Sequence, residues 1–137
     1  MDQHRYGYTV RTPLAHAAAV EAVTAALKAE GFGVLTTIDM RATLKARLGA
    51  DVAPYIILGA CNPPLALRAL TAEPEIGLLL PCNVAVYVDA SGQTTVSAID
   101  PEAMFSVVQR DDLTPVAQEV SARLRRVMDA LTTGAAS

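Results

Sequence analysis

The chain has 137 residues, of which 52% are hydrophobic and 18% charged, and a formal charge of -3; that length fits a single domain, expected over 1–137. The basic residues are scattered except for Arg123, Arg125 and Arg126, which argues against nucleic acid as a partner. The longest apolar stretch, between Glu75 and Asp89, is broken by Pro81 and Asn83 and is too short to span a bilayer, so no membrane partner is expected.

Residues 6–11 read as a first strand with Tyr6, Tyr8 and Val10 on one face, preceded by a tail at 1–4 that should fray. Thr12 and Pro13 suit the start of a helix, whose Val20, Val23 and Leu27 form an apolar stripe that Gly31 ends. A second strand is expected over 32–38, then a short helix over 40–48 that Asp39 caps and Gly49 closes. Tyr55, Ile56, Ile57 and Leu58 make a short apolar strand, and Gly59-Ala60 behind it is small enough for close backbone approach.

Asn62 is placed to cap a helix opening at Pro63-Pro64 and stopping before Pro74. Residues 76–80 and 84–88 read as one broken strand or two, Ser91-Gly92 as a hairpin turn, and 94–99 as the returning strand. Asp100-Pro101 starts a turn of helix through Phe105. Thr114-Pro115 opens a last helix with Leu113, Val116, Val120, Leu124, Val127, Met128 and Leu131 at helical spacing, and 133–137 should fray. These elements describe an α+β protein of two layers, an antiparallel sheet with helices packed on it.

The feature that stands out is a pair of near mirror-image tripeptides, Cys61-Asn62-Pro63 and Pro81-Cys82-Asn83, which hold both cysteines of the chain. Strand-like residues lead into the first and away from the second, so Cys61, Asn62, Cys82 and Asn83 are candidate ligand-binding residues at strand ends. Proximity to a helix N-terminus lowers a thiol pKa when solvent reaches it, which would make Cys61 reactive. Neighbouring thiols would also suit a redox disulfide or a soft metal such as Cu(I). Against this stands the ordinary role of free cysteine as a small buried hydrophobe, and of Asn62 as a helix cap. A zinc site within one protomer is not expected, because neither cysteine belongs to a Cys-x-x-Cys or Cys/His cluster.

Asp39 and Asp100 both end expected strands and could pair for acid-base work, although each is a natural N-cap. His4 and His16 lack a further ligand at an informative spacing, and both should be solvated. The chain carries no nucleophile motif, phosphate loop or complete metal set, so no enzymatic reaction or cofactor is specified.

The run Glu30-Gly31-Phe32-Gly33-Val34, then Ile38-Asp39, then residues 54–63 and Pro81-Cys82-Asn83, closely resembles the bacterial and archaeal family catalogued as domain of unknown function 302. The resemblance extends to Ile99-Asp100-Pro101 and the closing helix. It implies a β-α-β(4)-α fold with a TATA-binding-protein-like sheet and a homodimer, and it carries over no activity and no catalytic residue. A surplus of apolar side chains also favours a homodimer on its own account. With no signal-peptide layout and no disulfide framework, a cytoplasmic setting is expected. The expected function is a small-ligand-binding or interaction module, with thiol-dependent redox, sulfur-handling or copper-binding chemistry at Cys61 and Cys82 as the alternative.

Overall fold

The computed structural model describes residues 1–134. Six strands form one antiparallel sheet in the order β1-β2-β6-β5-β4-β3. They are β1 (Asp2–His4), β2 (Gly7–Thr12), β3 (Gly33–Asp39), β4 (Tyr55–Cys61), β5 (Cys82–Val88) and β6 (Thr94–Ile99). The helices are α1 (His16–Ala29), α2 (Met40–Leu48), α3 (Pro63–Ala72), α4 (Pro101–Phe105) and α5 (Thr114–Gly134). Without β1 and the short helices, the order is β-α-β(4)-α, a two-layer α+β arrangement. Among the described residues, no helix is long and apolar enough to cross a membrane.

Alternation along the strands decides where the core lies. Tyr8, Ala98, Val84 and Leu58 stand in register across four strands, as do Val10, Val96, Val86 and Ile56. All but the half-buried Ile56 are buried, in one cluster with Val23 and Leu27 of α1 and with Val116, Val120, Leu124 and Met128 of α5. The intervening row, Thr9, Ser97, Ala85 and Ile57, faces the other way and is only partly covered. Tyr8 buries its hydroxyl against Ser121 Oγ at 2.8 Å, which satisfies both polar groups inside the core.

Several local expectations hold for the reasons given. Asp39 Oδ1 accepts from the Ala42 N–H at 2.8 Å, and Gly49 closes α2 in the left-handed region at φ 66°. Gly31, at φ 85°, ends α1. The Ser91-Gly92 turn is organised by Asp89, whose carboxylate accepts from the Ser91 hydroxyl at 2.6 Å and from the Gln93 and Ser91 N–H groups; the Ser91 hydroxyl first, and then these backbone donors, hold its pKa below the usual carboxylate range.

Other expectations are corrected. Residues 1–4, expected to fray, contribute β1, paired to β2 from Asp2↔Thr9 to His4↔Gly7. Tyr6 lies in the intervening turn, 61% exposed and edge-on to His4, so it does not share the buried face of Tyr8 and Val10. The first helix starts at His16, because Thr12 is still in β2 opposite Thr94 and its Oγ1 accepts from Leu14 N–H. His16 is half-buried rather than solvated: its Nε2 donates to the Val86 carbonyl at 2.9 Å. The stretch read as a strand over 76–80 is a 3₁₀ helix, Pro74–Leu79. Pro74 presets its first turn, Glu73 caps it and Ile76 anchors it in the core. Of the tail expected to fray, residues 133 and 134 belong to α5, and 135–137 lie outside the described residues.

Candidate functional site

The two tripeptides converge. Cys61 is the last residue of β4 and Cys82 the first of β5, adjacent strands in which Ala60 pairs with Cys82. Beyond Cys61 the chain turns at once into α3, because Asn62 Oδ1 accepts from Leu65 N–H at 3.3 Å and Pro63 and Pro64 fix the first turn. Before Cys82 the 3₁₀ helix brings Leu80 and Pro81 back over the strand ends, through a cis Leu80–Pro81 peptide.

Between these strand ends, α3, α4 and α5 lies a cavity of about 280 Å³. Its walls include Phe32, Ala60, Leu65, Pro81 and Phe105, with Val116 and Val120 from α5. Cys61, Asn62 and Cys82 complete it, and Leu35 and Leu70 also line it. The polar content is small: two thiols and the amide of Asn62, whose oxygen already serves the cap.

Asn83 does not join the other three candidates. Successive strand residues point to opposite faces, so with Cys82 turned to the helices Asn83 looks out from the other side, opposite Gly59. There it borders a shallow depression of about 960 Å³ on the uncovered sheet face, with Tyr55, Tyr87, Thr9, Arg11 and Ser97. Tyr55 and Tyr87 stack at 5.1 Å between ring centroids. This depression is larger and much more polar; the smaller cavity, half-open to solvent, is almost wholly apolar, and it better matches a site that buries a ligand.

Burial sets the chemistry of the thiols. The Cys82 thiol is pushed up to about 12, first by burial and then by the neighbouring Cys61. Cys61 is also raised, by burial, and the expected lowering at the start of α3 is overridden. Both are free thiols that stay protonated at neutral pH, and the thiolate is the nucleophilic and metal-binding form. Among the described residues, no group of three or more His, Cys, Asp or Glu side chains is arranged to hold a metal ion, so a soft metal here would have two sulfur ligands.

The remaining candidates separate. Asp39 ends β3 beside Ile56, whereas Asp100 follows Ile99 beside Gly7, so they lie at opposite ends of the sheet. Each accepts a backbone N–H as a helix cap. The arginines of α5 are engaged within the chain: Arg123 Nη1 donates to the Glu30 carbonyl, Arg126 Nε to Glu30 Oε1, and Arg125 lies 5.0 Å over the Tyr8 ring. Val116 and Val120 were legible from the apolar spacing of the last helix, which does not distinguish a cavity wall from a filled core; Phe32, Leu65 and Phe105 carried no signal that assigned them to a site.

Residues 8–131 match the model of the family described as Domain of unknown function DUF302. Among solved structures, the chain is similar to an uncharacterized conserved protein DUF302 from Bacillus stearothermophilus, with 30% identity and a TM-score of 0.85. The alignment covers 91% of this chain and 97% of that one. No curated protein matches.

Proposed function

The chain belongs to the DUF302 family, and on that premise we propose that it is a binding module for a small apolar ligand, held at the ends of β4 and β5. One observation carries this reading: a half-open cleft of about 280 Å³ whose lining is apolar apart from Cys61, Cys82 and the amide of Asn62. A dry apolar cavity of about 150 Å³ is enough to hold benzene. The present one suits a bicyclic aromatic or a branched hydrocarbon, bound by burial of apolar area at about 25 cal/mol per Å². Asn62 and the protonated thiols offer weak polar contacts that would orient one end of the ligand. Protonation of both thiols at neutral pH disfavours nucleophilic thiol chemistry as the primary role.

The test is calorimetric titration with indole of the wild type and of Ala66→Phe, whose new ring would occupy the space beside the half-buried Ala66. Wild type should bind saturably and, at a ligand concentration of about 100 Kd, gain about 2.7 kcal/mol of stability. Ala66→Phe should remain folded and lose binding at least tenfold. Absence of wild-type binding, or equal binding by a folded Ala66→Phe, would overturn the proposal.

A further inference from the structure

We propose that the open face of the sheet holds a second site, for a planar aromatic carboxylate, independent of the cavity at the ends of β4 and β5. The depression there follows from the heights of the side chains along neighbouring rows. Arg11, Tyr87 and Tyr55 stand in one row, with Thr95 of β6 between Arg11 and Tyr87. The next row is lower, Thr9, Ser97, Ala85 and Ile57, and its two hydroxyls bond to each other at 2.8 Å. Beyond it Gly7 carries no side chain, and the His4 ring lies so close that a Cβ would come within 2.9 Å of it. A low floor is thereby framed by taller residues.

One side of this frame is aromatic and one end is cationic. Tyr55 and Tyr87 stack with their planes 15° apart, a wall for a flat ring lying on Ala85 and Ile57. The guanidinium of Arg11 is 3.7 Å from Asp2 and 3.9 Å from Asp89, both too long for hydrogen bonds, and the Asp89 carboxylate is committed to Ser91 and Gln93. The side chain of Arg5, in the turn between β1 and β2, has no ion-pair or hydrogen-bond partner among the described residues.

Charge complementarity names the occupant. Arg5 and Arg11 both line the depression with their guanidinium donors unpaired, and Asp2 is the one carboxylate on the same lining, in a chain whose formal charge is -3. The planar fork of an arginine matches a carboxylate through two parallel hydrogen bonds. With the tyrosine wall beside it, the site selects a flat ring bearing that carboxylate over a simple anion or a neutral hydrocarbon. Asp2 competes with such a ligand for Arg11.

Calorimetric titration of the full chain with naphthalene-2-carboxylate, with circular dichroism to verify folding, tests this. The wild type should bind saturably, and the uncharged probe 2-naphthamide should bind it at least tenfold more weakly. Arg11→Gln and Arg5→Gln should each weaken binding of the carboxylate at least tenfold, Asp2→Asn should tighten it severalfold, and Ala66→Phe in the separate cavity should leave it unchanged. If one arginine variant fails to fold, the other decides. Absence of saturable binding, binding that neither arginine variant weakens, or loss of binding in Ala66→Phe would each overturn the proposal. So would an Arg11→Gln that alters the mass of the protein by light scattering and not its affinity, because the face would then belong to a second copy.

Discussion

Gly59→Ala is expected to destabilise the protein by about 2–3 kcal/mol, as overpacking of a tight site does, and to lower its melting temperature by roughly 6–12 °C. A Cβ at this position would meet Pro81 Cγ at 2.7 Å and come closer still to Thr36 Oγ1. Thr36 has room to rotate at the exposed edge, but the proline ring is fixed by the return of the chain into β5. Relief therefore requires the Pro81 turn to move, and with it the wall of the cavity. Differential scanning calorimetry gives the result directly. A change within about 0.5 kcal/mol would mean that the turn shifts freely and that this close approach contributes little.

The second large effect is alkaline. Below pH 9.0, the ordinary thiol value, Cys82 holds its proton in both folded and unfolded chains, and its contribution to stability is complete. Above it the unfolded chain releases the proton while the native protein keeps it up to about pH 12. Stability therefore falls with rising pH across that window, at up to about 1.4 kcal/mol per pH unit. By pH 11 the loss should reach about 2–3 kcal/mol. Lysines and tyrosines also titrate in this range, so the informative quantity is the difference between wild type and Cys82→Ala in urea unfolding from pH 8 to pH 11. The variant should start less stable by about 1 kcal/mol from lost packing and show a shallower decline. Parallel pH curves would contradict the buried, neutral thiol.

Much of this architecture was legible because local chemistry and tertiary structure agree. Asp39, Asn62 and Asp100 cap the helices they precede, Gly31 and Gly49 stop the helices before them, and the apolar spacing of α5 is the face it buries. Where local and tertiary signals diverge, the sequence reading fails. Residues 76–80 are apolar enough for a strand, but Pro74 and the Glu73 cap commit the segment to a 3₁₀ turn. His16 looks like a surface residue, and only the fold brings the Val86 carbonyl to it.

The site was legible in part for the same reason. The mirrored tripeptides mark the adjacent ends of β4 and β5, but whether neighbouring residues share a pocket depends on strand alternation. That alternation sends Cys82 to the cavity and Asn83 to the opposite face. The thiol pKa depends on walls contributed by Phe32, Phe105 and α5, which lie far from the cysteines in sequence.

The central claim is that the space at the ends of β4 and β5 is an apolar binding site. A crystal structure of the protein soaked in indole tests it most directly. The account predicts ordered ligand density bounded by Phe32, Leu65, Cys82 and Phe105, with Leu80 and Pro81 in place above it. A cavity closed by collapsed side chains, or filled with ordered water hydrogen-bonded to Asn62, would contradict it.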